Sequence, residues 1–173
     1  MKALFALLSL IFATWGFAQS GGPKSLQDEF LDGLVGRWSA TGISHGLSVP
    51  QTIQVDWVLN HQFIRIHQKT LENRPGWDIP YEALLFIGYD RAKERYVLHS
   101  LTVAGAYGPR AIYGERQGNE IKFEADDGDK IVGLRMAWHA DSGTWNCNWG
   151  FQTAGGKWET VTDLVLARTA SAN

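Results

Sequence analysis

Residues 61–68, HQFIRIHQ, group side chains capable of chemistry on one side of a short segment. In an extended strand successive side chains point to opposite faces. His61, Phe63, Arg65 and His67 then share one face, and Ile64 and Ile66 share the other. Turned inward, Arg65 and His67 would receive a carboxylate or another anion through charge-assisted hydrogen bonds. Turned outward, the same strand places its isoleucines in a core, and the sequence leaves both orientations open. A metal held jointly by His61 and His67 is excluded by reach, since six residues of strand span about 20 Å. The acidic run EADDGD, residues 124–129, lacks the alternating oxygen donors of a calcium loop and reads as a hairpin turn. No metal is expected.

A second group is aromatic. Trp57, Trp138, Trp145 and Trp149 each alternate with aliphatic residues, most sharply in TWNCNWGF, where Trp145, Cys147, Trp149 and Phe151 share a face. Indoles on a core-facing side either pack solid or line a cavity for a flat or apolar ligand. Trp77 sits in ENRPGWD, within the one long loop, where it would lie over an opening as a lid. For catalysis the offerings are thin. Glu82, His99 and Tyr113 are the proton donors nearest apolar strands, and Cys147 lies among tryptophans, where desolvation makes a thiol inert. Gly-x-Ser-x-Gly, His-Glu-x-x-His and phosphate-loop patterns are absent. No catalytic residue and no cofactor are assigned.

The elements that must position these groups read as strands. Period-2 segments run at about 37–45, 51–59, 61–69, 81–89, 95–102, 110–116, 119–125, 129–139, 144–151 and 157–168, separated by turn residues. One short helix precedes them, with Leu26, Phe30, Leu31 and Leu34 at helical spacing and Ser25 as its cap. Short connections throughout predict a meander, and a meander this long closes on itself to remove its edges. The expected fold is all-β: a single antiparallel barrel of 8–10 strands over residues 26–169, its end closed by the helix.

The chain of 173 residues suits one domain. Residues 1–18 place Lys2 before an apolar run with Gly16 and Ala18 at the cleavage positions, which reads as a secretory signal, and 19–25 read as a flexible lead-in. Export to the periplasm or exterior is the expectation, with no membrane span after cleavage. Removing the signal takes away Lys2 and no acid, so the net charge moves from −2 to about −3, which argues against a nucleic-acid partner. The single cysteine forbids an intramolecular disulfide.

Gly36-x-Trp38 after a short helix, with Arg168 near the end of the last strand, resembles the calycin barrels (lipocalin and fatty-acid-binding-like), in which such an arginine lies over the indole. The resemblance implies structural roles for Gly36, Trp38 and Arg168. WVLNHQFIRIHQ followed by PYEALLFIGYDRAKERYVLHSL resembles an exported bacterial calycin-like family of unknown function, with Asn60-His61 standing where that family often has Gly-Gly. The start Gly36-Arg37-Trp38 is also similar to that of nitrobindin-type haem barrels. Those ligate iron through a histidine near the C-terminus, and no histidine follows His139 here.

The function expected is binding of a small hydrophobic or aromatic ligand in a tryptophan-lined barrel. Trp57, Trp138, Trp145 and Trp149 would be its walls, Arg65 and His67 would orient a polar end, and Trp77 would guard the mouth. The alternatives are a carbohydrate-binding module with exposed indoles, a barrel isomerase or cyclase, and a solid-cored interaction protein.

Overall fold

A computed structural model describes residue 22 and residues 24–48, 50–105, 111–153 and 155–169. The expected signal, 1–18, and the lead-in through 21 lie outside the described residues. Among these residues one helix, α1 (Glu29–Leu34), precedes ten strands. These are β1 (Gly36–Ser44), β2 (Gln51–Val58), β3 (Phe63–Asn73), β4 (Pro80–Asp90) and β5 (Arg95–Thr102), then β6 (Ile112–Gln117), β7 (Glu120–Asp127), β8 (Lys130–His139), β9 (Thr144–Gln152) and β10 (Trp158–Arg168). Each strand pairs antiparallel with its neighbour in sequence, and β1 pairs with β10, so the sheet closes into a ten-stranded barrel. The architecture is compatible with a calycin-like fold.

Closure follows from chain geometry. Ten antiparallel strands with short turns accumulate right-handed twist until the first strand meets the last. The meeting register sets Trp38 opposite Arg168 and Ala40 opposite Leu166. Among the described residues the β5–β6 ladder has three pairs, from Tyr96↔Gly114 to Leu98↔Ile112.

The helix is shorter than its apolar spacing implies, and its cap is Asp28 rather than Ser25. Asp28 Oδ1 accepts from the amides of Phe30 at 3.0 Å and Leu31 at 3.1 Å, as an N-cap should. Leu26 is withheld from the helix because its own amide donates to His61 O at 2.8 Å, keeping 24–27 extended across the β2–β3 turn. Lys24, placed in the lead-in, is likewise tethered, its carbonyl accepting from Gln62 Nε2 at 3.0 Å.

That turn stores strain. Leu59, Asn60 and His61 have φ of 51°, 54° and 60°, three successive left-handed residues without a glycine. Each such residue costs an L-amino acid about 1–2 kcal/mol, asparagine less than the others. The backbone at Asn60-His61 thus takes the conformation that glycine favours, although neither residue is glycine. Leu59 is the natural place to relieve it, being 69% exposed with little burial to lose. Leu59→Gly is expected to raise the unfolding free energy by about 0.5–1 kcal/mol, the strain relief exceeding the added chain entropy. Leu59→Ala, denatured alongside in urea, should show no gain.

Candidate functional site

The inward faces of the strands divide the barrel into two halves of different character. At the α1 end the interior is filled. Trp38 is fully buried, and Trp145, Phe123, Ile64, Ile87, Leu98 and Ile121 are nearly so, packed beneath Phe30, Leu31 and Leu34 of the helix. Phe30 meets Trp145 edge-on, with ring centroids 4.9 Å apart. Trp38 Nε1 donates to Leu34 O at 2.8 Å. Above the ring lies the Arg168 guanidinium, 4.3 Å from its centroid, whose Nη1 and Nη2 donate to the carbonyls of Val35 and Gly33, both at 3.1 Å. One arginine thus satisfies carbonyls that the helix end would leave open and covers the indole as well.

Further ties fix the helix at its other corners. Tyr96 Oη donates to Asp28 Oδ2, Trp57 Nε1 donates to Asp32 Oδ1 at 2.7 Å, and the Arg116 guanidinium lies 4.6 Å from the Phe30 ring. Burial, together with the Asp28 carboxylate that accepts its proton, pushes the Tyr96 hydroxyl far above its ordinary value. A group whose pKa is raised on folding stabilises the fold below its unfolded pKa and ceases to as the pH rises past it. Stability should therefore fall above about pH 10, by up to about 1.4 kcal/mol per pH unit from this tyrosine. In urea unfolding followed from pH 8 to 11, Tyr96→Phe should flatten the decline while costing about 1 kcal/mol at pH 8.

The expected site residues separate accordingly. Trp145, Trp138 and Trp57 do face inward, but at the filled end. Trp138 lies 5.4 Å from Trp145 and packs with the plug, while Trp57 stacks on His61 at 4.3 Å and, with Ser25, Gln27 and Leu59, lines a hollow at the α1 end rather than the barrel's other half. Arg65 and His67 point to the outside of the wall, because Ile64 and Ile66 claim the core face. Each meets a neighbouring carboxylate there. Arg65 forms a forked pair with Asp56 at 3.0 and 3.1 Å, and His67 Nε2 lies 2.6 Å from Glu82 Oε1. The expectation that they orient a polar group inside is corrected. Glu82, His99 and Tyr113 share that outward parity, opposite Lys69, Phe86 and Val97 respectively, which removes them as proton donors within the barrel.

The other end is different. Inward-facing Leu85, Val132, Trp149 and Phe151 remain partly accessible, as do Gln68, Ser100, Thr102 and Thr162. At the α1 end the partly accessible inward residues Trp57 and Tyr96 are tied to the helix through Asp32 and Asp28, whereas no described helix covers this end. Trp149, opposite Leu134 and one inward position from Cys147, is the indole of this half. Burial and the charge of Asp163 push the Cys147 thiol up to about 12, so it stays a thiol at neutral pH. Between rim and plug, none of the described inward-facing side chains is charged.

The loops at this end join β1–β2, β3–β4, β5–β6, β7–β8 and β9–β10. Trp77, in the β3–β4 loop, therefore stands at the accessible mouth and is 37% exposed. Arg74, on the same loop, lies 5.8 Å from the Trp77 ring and 5.1 Å from Tyr81, and donates to Ser44 O at 3.4 Å. Sequence reasoning missed Gln51, Gln68, Leu85 and Arg74. The first three were readable from parity, since QTIQVDWV puts Gln51 on the face of Ile53 and Val55. Arg74 was not, because a loop carries no periodicity.

No helix among the described residues is long and apolar enough to cross a membrane. No protein-family model matches the chain, and no curated protein matches it.

Proposed function

We propose that this protein is an exported binding protein of the calycin-like kind, which holds one small hydrophobic or aromatic molecule in the half of the barrel distant from α1. The observation that carries the reading is the contrast between the two ends: Trp38 and Trp145 are sealed beneath α1 and Arg168, whereas no described helix covers the opposite end, where Leu85, Val132 and Trp149 stay partly accessible. Ten strands enclose a wider interior than the eight-stranded barrels that side chains just fill. Uncharged walls with one indole and several hydroxyl and amide groups suit an apolar body bearing few polar atoms. Trp77, held by Arg74 on the rim, guards the entrance. The apolar run after Lys2 supports delivery to the periplasm or exterior.

The test is titration with N-phenyl-1-naphthylamine, an uncharged probe whose fluorescence rises in apolar surroundings. The expected result is saturable enhancement at one probe per chain. Trp149→Ala should weaken binding by about tenfold, and a Trp57→Phe control at the filled end should not change it. Absence of saturable binding would overturn the reading.

A further inference from the structure

Among the described residues, three buried side-chain nitrogens lack a hydrogen-bond partner: Trp145 Nε1, Arg135 Nε and Gln51 Nε2. The first is wedged in the plug against Phe30, and the second lies on the outer wall, where the Arg135 guanidinium covers Trp158 at 4.6 Å. Gln51 is of another kind. It is 2% exposed, begins β2 at the accessible end, and shares the inward face with Ile53 and Val55. Its register partners are Ala40, too small to reach over it, and Thr70.

The Thr70 hydroxyl donates to Glu72 O at 2.7 Å and accepts from Tyr81 N at 2.9 Å, and it makes no bond to Gln51 Nε2. Ser44 and Thr162 likewise bond one another at 3.1 Å. Gln51 Oε1 accepts from Gln68 Nε2, and that bond orients the amide so that its own Nε2 turns elsewhere. An amide N–H buried without an acceptor costs about 1–3 kcal/mol, and buried polar groups in native proteins are nearly always satisfied.

We infer that Gln51 Nε2 is the ligand-reading donor of this barrel, and that the ligand is an aromatic or alicyclic molecule carrying an uncharged acceptor oxygen, a ketone or amide carbonyl. The inference rests on the binding function proposed above. Gln68 holds the Gln51 amide in register, and Trp149 and Leu85 supply apolar surface for the ligand body. A carboxylate is disfavoured, because the described cation of inward parity in this half, Lys130, sits at the rim over the Phe151 ring at 4.5 Å, and a lone amide does not offset the desolvation of a full charge. The cations inside the closed end are occupied, Arg168 by the helix carbonyls and Arg116 by Phe30.

Four probes on one ring frame separate the possibilities by tryptophan quenching or calorimetry: 2-acetylnaphthalene, 2-ethylnaphthalene, 2-naphthol and 2-naphthoate. The acetyl compound is expected to bind at least tenfold more tightly than the ethyl compound and the naphthoate. Gln51→Leu should bring it down to the level of the ethyl compound. Gln51→Glu, which has no amide donor, should lose the same preference.

Equal binding of the acetyl and ethyl compounds would overturn the inference while leaving the binding function standing. Tightest binding of naphthoate would overturn it in favour of an anion. Preference for naphthol over the acetyl compound would overturn it in favour of a hydrogen-bond donor. Failure of all four to bind, with N-phenyl-1-naphthylamine still bound, would sink the ligand class alone. Failure of that probe too would sink both proposals.

Discussion

Trp38→Ala is expected to lower the unfolding free energy by about 4–5 kcal/mol, the upper range for deleting a buried aromatic side chain. Three losses coincide at this position. The cavity opens at the centre of the plug, where Trp38 is fully buried. Leu34 O loses the indole N–H that it accepts at 2.8 Å, and Arg168 loses the ring beneath its guanidinium. For a domain of this size the melting temperature should drop by roughly 10–15 °C. Trp38→Phe separates the parts. It keeps most of the volume and a ring for Arg168 but not the hydrogen bond, so about half the loss is expected. Calorimetry of the three proteins measures this. A loss below about 1 kcal/mol in Trp38→Ala would mean that the indole does not plug the barrel.

Gly36→Ala should cost about 3 kcal/mol, a large effect for one methyl group at a strand's first residue. Gly36 has φ of +138°, a region that L residues enter only at about 1–3 kcal/mol. A Cβ there would also stand 2.4 Å from Arg168 Nη1, so the guanidinium must leave the carbonyls of Gly33 and Val35. The two terms separate in a double-mutant cycle with Arg168→Ala, expected alone to cost about 2 kcal/mol. The double variant should be less destabilised than the sum of the singles by at least 1 kcal/mol, because an absent arginine cannot be displaced. Strict additivity in urea unfolding would show that the glycine answers to its backbone angle alone.

The reason a large indole follows this glycine at one residue's remove is therefore physical. Gly36 leaves room for the arginine, the arginine binds the helix end, and the helix end accepts from the indole. Gly-x-Trp and the distant Arg168 are parts of one arrangement, which is why so short a pattern carried the fold. The strands were legible for a related reason. Inward and outward residues differ in polarity along most of the barrel, so alternation reports the wall directly. Where both faces mix polar and apolar residues, as in HQFIRIHQ, parity names the two faces without saying which is inside. Burial of Ile64 and Ile66 decides it, through packing between strands far apart in sequence.

The division of the barrel into filled and accessible halves was beyond periodicity altogether. It depends on how far α1 and its bulky neighbours reach along the axis. Trp145 and Trp149 illustrate this well. They lie four residues apart on one face of β9 and read identically in the sequence, yet Phe30 packs on the first and not on the second.

Fluorine NMR of protein labelled with 5-fluorotryptophan, its resonances assigned by Trp→Phe substitution, sets those two indoles side by side. With a soluble paramagnetic chelate and then with N-phenyl-1-naphthylamine, the resonance of Trp149 should broaden in the first case and shift in the second. Those of Trp38 and Trp145 should do neither. If Trp149 is as silent as Trp145 to both reagents, the barrel is solid along its length and holds no ligand.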